Sequence, residues 1–350
     1  MKTRSVTMTR SKVQRVAIAI CVLLLSALAL AAGGYHQIAK YAFPTAQGST
    51  REYFDYIAVD SAARRVYLSH GTEIIVIDAD TGASKGTITG LKQDHGVAFA
   101  PEFNRGFITD GGDGKVVIFD LKTLKRIGEA KADKDTDSIV YDPASKRVFA
   151  MNGDPHSSTV IDAKTGKVVE TIDLGGGPEF AVADGKGTVY VNIEDKDELV
   201  AIDSKSLKIK SRWPLAPAGA PTALAIDLAH RRLFSAGRKP QMLVVLDADN
   251  GKVIQSFPIS AGVDAAAYDP ETGLIFASTR EGRIHIFHQD SPDKYSEVET
   301  IKTAFGAKTL GLDTRKHTVF VDTADFAQPS RSDGRPTPIP GTFHVLVYGQ

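Results

Sequence analysis

The 350-residue sequence contains one cysteine, Cys21, and no excess of charge of either sign. Because Cys21 lies in an apolar run near the N-terminus, the rest of the chain has no thiol for a disulfide, a zinc–thiolate site or a cysteine nucleophile. Lysine plus arginine number 42 and aspartate plus glutamate number 42, so the chain lacks the excess of positive charge that nucleic-acid-binding proteins usually show. The composition therefore argues against disulfide scaffolds and thiol enzymes, and it gives no strong sign of nucleic acid as a partner.

What the chain has instead is a repeated pattern of short apolar runs, seen most clearly between residues 137 and 174. Four runs rich in β-branched and aromatic residues are separated there by glycine, proline, aspartate and asparagine, with no helical period. Such runs are typical of strands, and the residues between them are typical of tight turns. This stretch predicts a four-stranded antiparallel meander.

The meander recurs along the chain at a nearly constant spacing. Its first runs end 40 to 44 residues apart, at Asp60, Ala100, Asp142, Asp184, Asp227, Asp269 and Asp313. Its third runs end 41 to 44 residues apart, at Asp78, Asp120, Asp162, Asp203 and Asp247. A period of about 40–45 residues with four strands per unit is the signature of a β-propeller. We therefore expect an all-β fold, a seven-bladed β-propeller with four antiparallel strands per blade.

The seventh unit lacks a fourth run, because the sequence ends soon after the run at residues 341–348. Upstream of the first unit, residues 35–43 form a spare strand-like segment. Open sheet edges promote aggregation, and a propeller ring needs closure. We expect this N-terminal strand to complete the last blade and so to close the ring.

The N-terminus has the features of an export signal. Five basic residues precede an uncharged run from Val16 to Ala32, which ends in small residues with an Ala-x-Ala pattern. This order predicts a secretory signal peptide. An uncleaved membrane anchor is the alternative, since the run is close to the minimum of roughly 17 residues for a membrane helix. We assign residues 1–32 to a signal peptide or anchor and residues 33–350 to the propeller. The propeller is expected to be periplasmic or secreted. Any attachment to the membrane is expected only through an uncleaved N-terminal segment.

Two sets of polar residues are expected to meet around the mouth of the central channel. In an antiparallel meander, the loops that enter the first strand and those that leave the second strand share one face of the molecule. Aligned positions at the start of the innermost strands hold Asp55, His95, Asp137, Glu179, Thr222, Asp264 and Lys308. The ends of the second strands bring His70, Asp110, Asn152, Glu194, Arg238 and Arg280 to the same face. We predict that the residues of these two aligned sets bind a ligand, with the exception of Thr222 and Glu194.

The charges at this mouth are unevenly distributed. Blades one to four supply mostly carboxylates and imidazoles, whereas blades five to seven supply Arg238, Arg280 and Lys308. One hypothesis is a funnel that binds a small ligand with its anionic group toward the basic side. The alternative is a mouth that is polar by default, in which the charges pair across blades.

Two further roles are open for the acidic side of the mouth. A divalent cation can lie near Asp137, Glu179 and His95, because carboxylate and imidazole groups are common metal ligands; no residue is assigned as an established ligand. The adjacent carboxylates Asp137 and Glu179 can also raise each other's pKa and serve as acid and base.

The loop at residues 325–342 of the seventh unit is unusually long for a connection between the second and third strands. It is rich in proline and contains Arg331 and Arg335, which can lean over the mouth. Long loops in compact domains are usually functional or disordered, and both interpretations stay open here.

The face opposite the mouth carries arginines at the turns between first and second strands. They are Arg65, Arg105, Arg147, Arg232 and Arg315. Aspartates stand across most of the same turns. We therefore expect local ion pairs there rather than a platform for polyanions.

Two segments resemble a known repeat. Phe-Ala-Met-Asn at 149–152 and Val-Tyr-Val-Asn at 189–192 resemble the Tyr-Val-Thr-Asn signature of the YVTN-repeat β-propellers, the YncE-like proteins. Residues 160–162, 165–168 and 171–172 match the other half of that repeat. The resemblance extends over residues 53–348 and implies the propeller fold. Related propellers include cofactor-linked dehydrogenase subunits, lactonases and binding proteins, so it implies no single activity.

Three functions remain open for such a chain. The first is a non-catalytic extracytoplasmic binding or scaffold protein, whose partner is a small molecule or a protein at the channel mouth. The second is a metal-dependent hydrolase or lactonase, for which we expect clustered oxygens of Asp137, Glu179 and Asp264. The third is an oxidoreductase component, in which the basic residues of blades five to seven hold the carboxylates of a quinone-type cofactor. The sequence leaves the cofactor unknown.

Overall fold

The computed structural model describes residues 33–328 and 336–350. Residues His36–Gly349 form one compact unit that holds all the strands given below. The predicted signal or anchor segment, residues 1–32, lies outside the described residues, as do Arg331 and Arg335. In the described part of the chain, no helix is long and apolar enough to cross a membrane.

The strands form seven four-stranded antiparallel sheets, as the repeat predicted. A first strand, β1 (His36–Ala42), precedes the blades. Blade 1 contains β2 (Ile57–Asp60), β3 (Arg65–Ser69), β4 (Glu73–Asp78) and β5 (Ser84–Thr89). Blade 2 contains β6 (Asp94–Ala100), β7 (Arg105–Asp110), β8 (Lys115–Asp120) and β9 (Arg126–Lys131). Blade 3 contains β10 (Thr136–Asp142), β11 (Arg147–Asn152), β12 (Ser157–Asp162) and β13 (Val168–Asp173).

The remaining blades follow the same order. Blade 4 contains β14 (Pro178–Ala183), β15 (Thr188–Ile193), β16 (Glu198–Asp203) and β17 (Lys208–Pro214). Blade 5 contains β18 (Pro221–Asp227), β19 (Arg232–Arg238), β20 (Gln241–Asp247) and β21 (Val253–Pro258). Blade 6 contains β22 (Val263–Asp269), β23 (Leu274–Thr279), β24 (Arg283–Ser291) and β25 (Lys294–Lys302). Blade 7 contains β26 (Leu310–Asp313) and β27 (Thr318–Thr323), then a small hairpin of β28 (Phe326–Ala327) and β29 (Thr337–Pro338), and last β30 (His344–Gly349).

The helices given by the structure are two single turns of 3₁₀ helix, Pro101–Phe103 and Glu194–Lys196. The first strand of blade 4 ends one residue before the predicted Asp184, and the other first and third strands end where the repeat placed them. The fold is therefore all-β, as expected.

The N-terminal strand closes the ring. β1 pairs antiparallel with β30, in a sheet whose order is β1-β30-β27-β26. The first strands of successive blades contact one another all the way round, including β26 of blade 7 with β2 of blade 1. The predicted closure is thus confirmed, and the first strands line the central channel.

The turns between third and fourth strands explain why aspartate recurs at the end of the third strand. The Asp78 Oδ1 atom accepts hydrogen bonds from the Asp80 and Thr81 backbone N–H groups, at 3.1 and 3.0 Å, and from the Thr81 hydroxyl. Gly82 then takes a φ of 70°, in the left-handed region that glycine adopts at no steric cost. The same arrangement returns at Asp162, where Thr165 donates both N–H and O–H.

The apolar core lies in layers between neighbouring blades. Phe234 of blade 5 packs on Tyr268 and Tyr295 of blade 6, and Phe149 of blade 3 belongs to one core cluster with residues of blade 4. Each blade therefore covers both faces of its sheet with its two neighbours, which is how a chain of this length avoids a single oversized core.

Four of the arginines on the face opposite the mouth reach main-chain carbonyls of the next blade. The Arg147 guanidinium of blade 3 donates to the main-chain carbonyls of Ser204 and Lys205 in blade 4, both at 2.8 Å. Arg232 of blade 5 likewise reaches the Pro292 carbonyl of blade 6 at 2.9 Å. The equivalent donors Arg65 and Arg105 reach carbonyls of Leu121 and Ala163 in the next blade.

The expectation of local ion pairs is therefore wrong for Arg65 and Arg147. Among the described residues, neither is paired with the aspartate across its turn. The arginine side chain is long enough to reach the next blade, where a turn carbonyl accepts a charge-assisted hydrogen bond.

Candidate functional site

Seven polar side chains, one from each blade, form a continuous chain of contacts around the channel mouth. Each member lies within salt-bridge distance of the next. In order along this chain they are Asp137, His95, Asp55, Lys308, Asp264, Arg238 and Glu194, from blades 3, 2, 1, 7, 6, 5 and 4. We call this set the polar ring. Charge pairing across blades, which the sequence left as the alternative to a ligand funnel, is therefore present.

His95 is the centre of the acidic side of the ring. Its Nδ1 atom lies 2.7 Å from Asp55 Oδ2 and 3.2 Å from Asp137 Oδ1. The Tyr53 hydroxyl lies 3.0 Å from the same nitrogen. The beginnings of the innermost segments of blades 1, 2 and 3 thus bring three oxygen-bearing groups to one nitrogen.

Lys308 is the centre of the basic side. Its Nζ atom lies 2.9 Å from Asp55 Oδ1 and also contacts Asp264 Oδ2. The Arg238 guanidinium contacts the other oxygen of Asp264 and lies 3.2 Å from Glu194 Oε1. Lys308 therefore joins the last blade to the first blade and to blade 6 at the point where the ring closes.

Burial and neighbouring charges fix the charge pattern of the ring. Burial alone would lower the pKa of His95, but Asp137 and Asp55 outweigh it and raise the pKa to about 9. Burial would raise the pKa of Asp55, yet Lys308 and His95 together hold it below its usual value. Burial would lower the pKa of Lys308, but Asp264 and Asp55 raise it. At neutral pH, His95 and Lys308 are therefore cationic on either side of an anionic Asp55.

Two carboxyl groups on the acidic side have raised pKa values. Burial raises the pKa of Asp137 to about 7, although the charge of His95 opposes it. Burial, and after it the charge of Asp137, raises the pKa of Glu179 well above its ordinary value. Asp137 thus affects Glu179 in the predicted direction, although burial is the larger cause. Since the Asp137 side chain is still 24% exposed, this pair can exchange protons with a bound molecule.

Three of the other predicted residues are not part of the polar ring. His70, Asp110 and Asn152 are fully buried and hold the local structure. The His70 imidazole lies 2.5 Å from Glu52, and the Asp110 carboxylate accepts backbone hydrogen bonds from the loop entering blade 2. Asn152 donates to hydroxyl groups of its own blade.

Their short side chains are engaged in these bonds, and none of the three lines the cavity described below. Thr222, at the aligned position of blade 5, is also buried and donates to a carbonyl of its own loop. The sequence placed these residues at the correct edge without showing which side chains the backbone would engage.

Two tyrosines that the sequence-based prediction missed belong to the site. Tyr53 lies beside His95, as given above. Tyr56 of blade 1 packs edge-to-face on Phe180 of blade 4, with ring centroids 4.8 Å apart. Blades 1 and 4 are not neighbours, so this contact crosses the channel, one residue deeper than Asp55 and Glu179. The clustering of aromatic and charged residues at 51–56 was the sequence signal for them.

A cavity of about 510 Å³ opens on the basic side of the mouth. Its charged lining comes from Arg238, Arg280 and Lys308, which the sequence assigned to a basic side, and from one carboxylate, Glu52, which is engaged by His70. The described flanks of the long blade 7 loop contribute as well. Aromatic and apolar residues complete the lining, and they include Tyr53, Phe54, Phe305, Phe326 and Pro338.

One cluster within the ring has the composition of a metal site. Asp55, His95 and Asp137 each present one donor atom, and these atoms lie within 4.8 Å of one another. The hydrolase hypothesis expected Asp137, Glu179 and Asp264 instead. For Asp264 this expectation is wrong, because both of its oxygens are engaged by Arg238 and Lys308.

Comparisons with known proteins agree with the fold. Residues 56–213 match a family described as a domain of unknown function, DUF5074. The uncharacterised protein YncE of Salmonella typhi is 28% identical over 148 residues, which cover 40% of this chain and 41% of that protein. The YncE of Salmonella typhimurium is 27% identical over the same length. The match thus spans less than half of the length of these curated relatives.

Solved structures show the same architecture. Hydrazine synthase of Kuenenia stuttgartiensis superposes with a TM-score of 0.67 at 14% identity, covering 84% of this chain and 98% of that chain. The WD40 repeats of RRP9 give a TM-score of 0.71 at 9% identity, covering 89% of this chain and 100% of that chain. At these identities the likeness shows the fold alone.

Proposed function

Since this chain is a YncE-like β-propeller, we propose that it is a binding protein of the periplasm or another extracytoplasmic space, and that it takes a small organic anion at the channel mouth. The observation that carries the proposal is the cavity beside the polar ring, in which three cationic side chains face aromatic ones. Its volume of about 510 Å³ lies within the range of small-molecule pockets, roughly 300–1,000 Å³.

Arg238 and Lys308 still have donors for a ligand after their ion pairs are formed. Arginine has five N–H groups, and Arg238 uses three of them on Glu194, Asp264 and a backbone carbonyl in the described contacts. Lys308 has three N–H groups and uses two on aspartates. An incoming carboxylate can therefore share these cations without displacing the aspartates.

The aromatic lining supports an anion that also has an apolar body. Phe305 is 47% exposed and packs edge-to-face on Phe326, with ring centroids 5.1 Å apart. Exposed aromatic rings beside fixed cations are suited to bury a hydrocarbon or aromatic group while the charge is bound. A ligand with both features fits this cavity better than a bare inorganic anion.

The experiment is a binding screen with the full mature chain in a buffer that contains a metal chelator. Aliphatic and aromatic mono- and dicarboxylates are tested by thermal shift and then by calorimetry. Arg280→Gln and Phe305→Ala should each weaken binding by at least about tenfold, a loss of roughly 1.4 kcal/mol. Arg126→Gln, at an exposed site in β9, is the matched control and should leave affinity unchanged. Failure of every organic anion to bind, or equal loss in the control, contradicts the proposal.

The proposed location rests on the sequence of residues 1–32. Alkaline phosphatase fused after residue 350 of the full chain should be active, because that enzyme folds only in an oxidising compartment. A fusion without residues 1–32 should be inactive. Activity in both fusions, or in neither, contradicts export by this segment.

A further inference from the structure

We propose that Asp55 Oδ2, His95 Nδ1 and Asp137 Oδ1 bind a divalent transition-metal ion at the channel mouth. The site goes beyond the organic anion proposed above and does not depend on it. Tyr53 connects the two features, since it lines the cavity and its hydroxyl lies 3.0 Å from His95 Nδ1. A metal ion in this position would lie at the edge of the cavity.

The first argument is the spacing of the donor atoms. Ligands held about 2.1 Å from a metal are separated from one another by roughly 3.0–3.4 Å in octahedral or tetrahedral geometry. His95 Nδ1 lies 2.7 Å from the Asp55 donor and 3.2 Å from the Asp137 donor, and all three atoms lie within 4.8 Å of one another. Small rotations of the carboxylates are enough to place the three atoms around one ion.

The second argument is a surplus of lone pairs at one point. His95 Nδ1 carries at most one proton, yet it faces oxygens of Asp55, Asp137 and Tyr53. The Asp137 Oδ1 atom is shielded from solvent, and in the described part of the chain it has no hydrogen bond beyond its 3.2 Å approach to this nitrogen. One proton on Nδ1 cannot serve all these oxygens fully, whereas a cation accepts lone pairs from all the donors together.

The third argument is the support around the cluster. The Asp55 and His95 side chains are only 10% and 6% exposed, so they are held in place, whereas Asp137 is 24% exposed toward the mouth. The Gln93 side-chain amide lies 3.3 Å from His95 Nε2. The nearer atom is the amide nitrogen, so the amide must rotate by about 180° before its oxygen can accept the proton that Nε2 carries when Nδ1 binds a metal, which is the usual outer support of a histidine ligand. The more exposed side of Asp137 gives an ion a way in.

Charges next to the cluster limit which ion is bound. Lys308 contacts the other oxygen of Asp55, and its charge is offset by Asp264 on its far side. One nitrogen and two or three oxygen donors favour Zn²⁺ or Mn²⁺ over Mg²⁺ or Ca²⁺, which prefer oxygen alone. With three protein ligands and an approach from the mouth, the ion keeps positions for water or for a ligand carboxylate.

The full mature chain is first treated with chelator and dialysed. It is then titrated with Mn²⁺ alone, and the free ion is measured by electron paramagnetic resonance. A second titration adds Zn²⁺ as a competitor. We expect one site per chain and a loss of affinity of at least about tenfold in Asp137→Asn. Glu129→Gln is the matched control, since it alters an exposed carboxylate of β9 that lies outside the polar ring. Equal affinity in Asp137→Asn and the unaltered chain overturns the site.

A second readout does not depend on how well a variant folds. Nitrogen hyperfine coupling to bound Mn²⁺ in the unaltered chain should show one imidazole ligand, and His95→Gln should abolish it. Mn²⁺ bound without nitrogen coupling, or no binding at all, overturns the proposal. Because the organic-anion screen is run with chelator and this titration is run without organic anion, either proposal can fail while the other holds.

Discussion

Lys308 should be the side chain whose loss most weakens the closed ring. It is 19% exposed and lies between Asp55 and Asp264, which are 10% and 7% exposed. Lys308→Met retains the apolar stem but leaves two nearly buried carboxylates without their shared cation. Removing one partner from a buried ion pair costs about 3–5 kcal/mol, and we expect a loss of free energy of unfolding in that range.

The assay is urea unfolding, followed by far-ultraviolet circular dichroism and by the fluorescence of the single tryptophan, Trp213. Lys146→Met is the control, because Lys146 is 52% exposed and pairs with a Glu102 side chain that is 35% exposed. Such a surface pair contributes less than about 1 kcal/mol. The double variant Lys308→Met/Asp264→Asn should recover part of the loss. If Lys308→Met is no less stable than Lys146→Met, the charge account of the ring is refuted.

Three further predictions concern stability, and each can be checked by urea unfolding. Burial raises the pKa of Asp322 to about 8. Between about pH 4 and pH 8 the folded chain therefore holds a proton that the unfolded chain has lost. Over this range the free energy of unfolding should fall with rising pH, by up to about 1.4 kcal/mol per pH unit. Asp322→Asn should remove this slope, and parallel curves for variant and parent contradict the argument. Gly251→Ala should cost at least about 2 kcal/mol, because φ is 73° and the new Cβ would clash with the ring of Trp213. Gly128→Ala is the control, since a Cβ there has nothing within 4 Å, and its stability should be unchanged within about 0.5 kcal/mol. Arg147→Gln should cost about 1.5–3 kcal/mol through two lost hydrogen bonds to blade 4, and an unchanged midpoint would show that the blade-to-blade link is dispensable.

The fold could be predicted because each repeat carries its own turn chemistry. Aspartate at the end of a strand binds the backbone N–H groups of the next turn, as Asp78 does, so the period of the turns shows the period of the blades. Ring closure followed from one missing strand and one spare segment. Both conclusions depend on local patterns that a sequence displays directly.

The candidate site could be predicted only in part. Alignment of the first strands identified Asp55, His95, Asp137 and Lys308, because the repeat fixes which edge of the ring a residue occupies. It did not distinguish side chains that face the mouth from those engaged by the backbone, as in Asp110. That choice depends on side-chain rotamers and on contacts between blades far apart in sequence.

The arginine links show the same limit. Pairing across a turn is a local rule, and it suggested an aspartate partner for Arg147. The actual acceptors are carbonyls some 57 and 58 residues away, which come close only when the next blade is in place.

The central claim is that groups from distant repeats converge at the channel mouth to form a binding site. The most direct test is an anomalous difference map, recorded at the manganese edge, from crystals of the chain grown with Mn²⁺. The account predicts one peak about 2.0–2.4 Å from Asp55 Oδ2, His95 Nδ1 and Asp137 Oδ1. A map without a peak there, or with Mn²⁺ bound only at other surface carboxylates, contradicts it.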